Sequence, residues 1–195
     1  MEIAVKAIRR GLAEIIAQRR TQIVTSRDFI DFFGGSVVGV PVLVIIFALV
    51  AALGWVLLNR TTFGRRTLAV GGNPEAARLA GIKVQRQTAY LYILVGLACG
   101  LAAVMLMART TTGTSTHGGL YELDAIAAVV IGGTLLSGGR ATIVGTVFGV
   151  LIFTTLTNVF TLNNVDTSTQ AVAKGVIIVA AVLLQQRVAA RRGAP

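Results

Sequence analysis

The feature that most constrains this chain is a pair of long, almost uninterrupted apolar runs, at residues 37–58 and 89–108. A helix needs about 20 predominantly apolar residues to cross the hydrocarbon core of a bilayer, and both runs reach that length. The chain is 54% hydrophobic and only 13% charged, with a mean hydropathy of +0.77. This is more apolar than ordinary soluble domains, so the sequence predicts an integral membrane protein.

Three further apolar segments follow. Residues 143–160 form a third span candidate, although Asn158 and several threonines lie in its second half. Residues 125–136 would reach only about 18 Å as a helix, short of a ~30 Å hydrocarbon core. Residues 172–184 complete the set, and Lys174 near their start should extend toward an interface. The predicted fold is all-α: a polytopic transmembrane helix bundle with about five hydrophobic segments, one of them short or broken.

The basic residues predict the orientation of these spans. The loop at residues 59–87 holds six arginines and lysines, and the C-terminal tail is also basic. Cytoplasmic loops of membrane proteins carry an excess of such residues, so both regions are predicted to be cytoplasmic. The connections 109–123 and 161–170 together hold one basic residue and are predicted to be external. The net charge of +10 therefore indicates topology, and we expect no nucleic-acid partner.

The first 36 residues differ from the rest of the chain. Apolar and basic residues alternate there at helical spacing, which predicts an amphipathic helix at the membrane interface. We therefore divide the chain into residues 1–36, an amphipathic N-terminal segment with an external loop, and residues 37–195, a transmembrane domain that contains the basic loop 59–87.

The basic loop contains a short helix with both ends specified. Pro74 suits the first helical turn, Glu75 lies beside the positive end of the helix dipole, and Gly81 is placed to end the helix. Local physics allows two interpretations. The helix is either a capped interfacial connector or a docking surface for another protein.

The residues of this loop resemble a known family. Permease subunits of ribose, xylose and fructose-type ABC importers have a cytoplasmic segment similar to FGRRTLAVGG followed by NPEAARLAGI. The same family is matched, in the same order, by GGLYELDAIAAVVIGGTLLSGG, IVGTVFGVLIFTTLTNVFTL and AVAKGVIIVAAVLLQQR. The resemblance implies that loop 59–87 is the coupling loop of a permease domain, moved by an ATP-hydrolysing subunit. The coupling residues that it assigns are Asn73, Pro74, Glu75, Ala76, Ala77, Arg78, Leu79, Ala80, Gly81 and Ile82.

The resemblance also implies a function. The chain would be a permease subunit that translocates a monosaccharide across the bacterial inner (plasma) membrane, with no catalysis and no cofactor of its own. The expected partners are an ABC ATPase subunit, a periplasmic or lipid-anchored sugar-binding protein, a second permease subunit and the lipid bilayer. Those permeases carry additional N-terminal spans, so we expect Met1 to fall where one of their middle helices lies.

Two alternatives remain open. A branched-chain amino acid permease of an ABC importer shares the broad architecture. An ion-coupled secondary transporter would require a titratable residue inside a span, and the candidates are Asp124 and Lys174, which we expect near span ends.

Other site candidates lie outside the coupling loop. The glycine-rich stretch with Gly132, Gly133 and Thr134 lacks the GxxxxGK[ST] pattern, so it is not expected to bind ATP. It serves either close helix packing or, with Asn158, a solute pathway at a broken helix.

The external connection before the short helix carries two acidic residues, Glu122 and Asp124. They either cap the helix start or contact the external binding protein. His117 is the single histidine, with no second histidine or cysteine nearby, so we assign no metal site.

Two pairs of glycines are spaced four residues apart within spans, Gly96 with Gly100 and Gly145 with Gly149. Such pairs let two helix backbones approach closely. They predict contacts within a helix bundle and carry no information about substrate.

Overall fold

The computed structural model describes residues 8, 11–18, 20–114, 118–119 and 121–192, and the side chains of these residues except Thr167 and 184–192. The two-residue strands are β1 (Gln22–Ile23), β2 (Ser36–Val37), β3 (Val40–Pro41) and β4 (Thr112–Gly113). Residues 11–16 are helical. The further helices are α1 (Arg27–Gly34), α2 (Val42–Arg60), α3 (Thr62–Gly72), α4 (Pro74–Leu79), α5 (Val84–Thr110), α6 (Tyr121–Ile131), α7 (Ile143–Leu162) and α8 (Thr167–Arg192).

The helices confirm the predicted all-α fold. Three of them, α2, α5 and α7, are long and apolar enough to cross a membrane. Helix α6 has only 11 residues, which confirms a short segment, although it covers Tyr121–Ile131 and ends before the glycines of the expected segment 125–136. Helix α8 has 26 residues and contains the last predicted span.

The first span begins later than the sequence suggests. Residues 36–41 form a small hairpin in which Val37 pairs with Val40, and the helix starts only at Val42. The two turn residues, Val38 and Gly39, have φ of 55° and 80°, the backbone that a tight two-residue hairpin requires. This local turn overrides the apolar character of residues 37–41.

The chain divides into two compact units. The first comprises Met1–Val50 and Tyr90–Gly119. Within it, β1 pairs antiparallel with β4, and the Val24 amide donates a hydrogen bond of 2.9 Å to the Thr111 carbonyl. The described N-terminal residues are thereby held against the connection that follows α5.

The second unit comprises Ala51–Ala89 and Leu120–Pro195 and has a core of small residues. Ala127, Ala128 and Val130 of α6 are buried, as is Phe153 of α7. A Cβ atom at Gly149 would overlap the Ala128 carbonyl oxygen, so these two backbones touch with no side chain between them. Helix α6 also packs on α8.

Candidate functional site

The predicted coupling helix is present as α4, and its ends follow from its sequence. The Asn73 side-chain oxygen accepts a hydrogen bond of 3.0 Å from the Ala76 amide, which caps the N-terminus. At the other end, the Ile82 amide donates to the Ala77 carbonyl at 3.0 Å. Gly81 has φ of 81°, the left-handed residue that such a helix ending needs. The short helix is therefore held in shape at both ends.

One side of α4 faces the protein and the other faces outward. Ala77 is buried, with 4% of its surface exposed, whereas Leu79 is 90% exposed. Ala76 and Ala80 are exposed as well. Leu79 is therefore accessible to another molecule.

A groove runs between α4 and the start of α5. It encloses about 530 Å³ and is lined by Pro74, Glu75, Arg78, Gly81, Ile82, Lys83, Val84, Gln85 and Arg86. Three of these side chains are basic and only Glu75 is acidic. The groove therefore favours an occupant with acidic groups.

Helix α3 is fixed to the start of α5 by a buried amide that the sequence analysis did not single out. The Gln87 side-chain nitrogen donates to the Phe63 carbonyl at 3.1 Å and to the Thr67 hydroxyl at 2.8 Å. Gln87 is 6% exposed. This contact attaches the basic loop to the membrane-length helix that follows it.

Replacing Gln87 by leucine should lower the free energy of unfolding by about 1 kcal/mol, because both hydrogen bonds are lost while Thr67 still donates to the Phe63 carbonyl. Unfolding by sodium dodecyl sulfate in mixed micelles would measure this. Gln85→Leu is the matched control, since Gln85 is exposed in the same turn. Equal effects of the two substitutions would contradict the anchoring role.

The end of α3 meets the turn that connects α6 to α7. A Cβ atom at Gly71 would lie 3.1 Å from the Gly139 nitrogen, and one at Gly139 would lie 3.0 Å from the Gly72 Cα. The sequence analysis did not anticipate this contact. It places the turn that contains Arg140 beside the basic loop.

The glycine-rich stretch is hydrogen-bonded to the residue that precedes α7. The Thr142 hydroxyl donates to the Gly132 carbonyl at 2.8 Å, and the Thr142 amide donates to the Thr134 hydroxyl at 3.2 Å. Gly133 adopts φ of 83° where the helix ends. These bonds close the gap between α6 and α7, and the pathway role of these residues stays a prediction.

Asp124 and Lys174 form an ion pair that the sequence analysis did not pair. The Lys174 Nζ lies 3.0 Å from each carboxylate oxygen of Asp124 and 5.5 Å from the centroid of the Phe153 ring. The Lys174 ammonium group is thereby held by helix α6, and its predicted extension toward an interface stays a prediction. Glu122 is exposed at the start of α6, and its predicted contact with a binding protein stays a prediction.

The remaining candidates are located as follows. Asn158 is exposed on α7. His117 lies outside the described residues. Among the residues that the structure does describe, no three histidine, cysteine, aspartate or glutamate side chains come together to hold a metal.

Comparison with known proteins identifies the family. The sequence model described as "Branched-chain amino acid transport system / permease component" matches residues 5–182. The ribose import permease protein RbsC of Bacillus subtilis is 46% identical over 95% of this chain and 58% of its own length. RbsC of Escherichia coli K12 is 43% identical over 82% of this chain and 50% of its own length. The L-arabinose transport system permease protein AraH of Escherichia coli K12 is 38% identical over 94% of this chain and 56% of its own length. No solved structure matches significantly.

The chain spans about half the length of the curated relatives it matches. The family-model match covers residues 5–182, a range that contains the capped helix and the glycine-rich stretch. The apolar helices make it a multi-pass membrane protein, as predicted. The family-model match over residues 5–182 and the sequence identity to these relatives together show that this chain belongs to the family of permease components of the branched-chain amino acid transport type, which includes the ribose and arabinose permeases.

Proposed function

We propose that the chain works as a membrane-spanning subunit of an ATP-driven importer and performs no covalent chemistry itself. The observation that carries this proposal is α4, a capped helix that presents Leu79 outward beside a charged groove. A partner that hydrolyses ATP would dock there and move the spans between outward and inward openings. An external binding protein would deliver the solute, and a second permease subunit would complete the translocation unit.

The docking claim predicts a specific loss of binding. The double charge reversal Glu75→Arg with Arg78→Glu should reduce the amount of co-purified ABC ATPase subunit by more than about tenfold, since changing a hot-spot residue of an interface costs about 2 kcal/mol or more. Leu79→Asp should act similarly. The matched control is Arg65→Glu, an exposed position on α3 outside the groove. Wild-type levels of ATPase on the variant chains would contradict the proposal.

We further propose that the solute is a monosaccharide. Support comes from the relatives, which are named for ribose and L-arabinose import. A branched-chain amino acid is the alternative, because the family description names that class. Competition distinguishes the two: unlabelled pentoses should reduce uptake of labelled ribose in cells that express the importer, and leucine should not.

One observation favours a second candidate, an ion-coupled secondary transporter. The Asp124–Lys174 pair joins ionisable groups of two apolar helices, where such a transporter would need them. The two mechanisms differ in their energy source. Uptake driven by ATP hydrolysis should stop when the ATPase subunit is removed and should survive an ionophore, and the opposite result would favour ion coupling.

A further inference from the structure

The Asp124–Lys174 pair lies at mid-height of a membrane-length helix. Phe153, beneath the Lys174 ammonium, is the eleventh of the 20 residues of α7. At about 1.5 Å per residue, it lies roughly 15 Å from either end of that helix. The sequence predicts both charges near span ends and cannot show how far α6 and α8 overlap α7. In the structure the Lys174 ammonium group is level with the middle of α7.

The pair is not sealed inside the unit. The Lys174 side chain is 19% exposed and the Asp124 side chain 29% exposed. Hydrocarbon does not solvate charged groups, so intramembrane ion pairs face protein or a water-filled cavity. The exposed edge of this pair therefore requires polar surroundings.

A polar stripe on α7 leads from the predicted external end of the helix to the same depth. Thr154, Asn158 and Thr161 are all exposed. Their spacing of four and three residues places them on one face of the helix. Thr154 lies next to Phe153 in the chain, so the inner end of the stripe is level with the ion pair.

We propose that Asp124 and Lys174 form a solute-binding site at mid-membrane for a neutral polyhydroxylated molecule, reached along the stripe of Thr154, Asn158 and Thr161. The carboxylate accepts hydrogen bonds from hydroxyl groups and the ammonium group donates hydrogen bonds to them. The pair can therefore bind adjacent hydroxyls of a sugar, and because its two charges cancel, it suits a neutral solute. Phe153 is 3% exposed and is not available for stacking, so hydrogen bonds carry the recognition. The solute class rests on the proposed function.

Cysteine labelling of the full chain in membranes tests whether water reaches the site. Two variants in a Cys99→Ala background each carry one cysteine for labelling. Thr154→Cys tests the stripe and leaves the ion pair intact. Lys174→Cys tests the pair itself and is combined with Asp124→Asn, so that no unpaired carboxylate remains. Both cysteines should react with a membrane-impermeant cationic thiol reagent about tenfold faster than Val179→Cys, because the reactive thiolate forms only where water is present. Val179 is the matched control, being 59% exposed on the apolar face of α8.

Protection by solute tests the ligand class. Millimolar ribose or arabinose should slow labelling of Thr154→Cys, and leucine should not. Labelling as slow as at Val179→Cys overturns the water-filled path, and labelling that neither sugar slows overturns the binding site. The experiment needs no ATPase subunit. A chain that fails to bind the ATPase but shows sugar protection would therefore contradict the proposed importer function and leave this site standing.

Discussion

Replacing Gly149 by leucine should destabilise the second unit by about 3 kcal/mol, the upper end for overpacking of a tight core. The reason is that even a Cβ atom at this position would overlap the Ala128 carbonyl oxygen, so α6 and α7 would have to separate. Their separation would also break the bond from the Thr142 hydroxyl to Gly132. Unfolding by sodium dodecyl sulfate in mixed micelles, followed by circular dichroism, would measure the loss.

Gly96→Leu is the matched control for this prediction. Gly96 also belongs to a pair of glycines four residues apart in an apolar helix, but a Cβ atom there would meet nothing within 4 Å. We expect Gly96→Leu to leave the unfolding curve of the chain nearly unchanged. Equal destabilisation by the two substitutions would show that the contact between α6 and α7 does not depend on glycine.

Breaking the Asp124–Lys174 pair should be the second large effect. Asp124→Asn alone or Lys174→Gln alone leaves one charge without its partner beside the middle of α7, which we expect to cost roughly 2 kcal/mol, less than for a fully buried pair because both groups keep some exposure. The yield of folded chain and the detergent unfolding midpoint would report this loss.

The charge-swapped variant Asp124→Lys with Lys174→Asp provides the control. It restores opposite charges across the same distance, so the swapped chain should be more stable than either single charge-reversal variant. If the two substitutions acted independently, their destabilising effects would instead add, and the swapped chain would be the least stable of the three. If the swapped chain were no more stable than Asp124→Lys alone, the attraction between the two groups would not contribute to folding.

Local signals in the sequence predicted the parts of the structure that depend on neighbouring residues. Asn73, Pro74 and Gly81 specify a six-residue helix within a long loop, and they do so through capping chemistry that operates over a few residues. The shortness of α6 likewise follows from an apolar segment, residues 125–136, that is only 12 residues long and is interrupted by Gly132 and Gly133. In both cases the required information lies within one turn of the helix.

Contacts between distant segments were not predictable in the same way. Asp124 and Lys174 are 50 residues apart, and their pairing depends on how α6 and α8 align beside α7. Gln87 had only a weak signal, an amide at the edge of an apolar run, and nothing nearby indicated that its partners would be Phe63 and Thr67. The late start of α2 depended on a hairpin turn at Val38 that apolar composition conceals.

The contact of Gly71 and Gly72 with Gly139 has a mechanical consequence. Bulky side chains between two segments can change rotamer when one segment moves slightly. Two backbones in direct contact, as here, cannot adjust in this way. A small shift at the end of α3 would therefore move the α6–α7 turn by a similar distance. Force applied at the basic loop would thus reach α6 and α7 directly through this backbone contact.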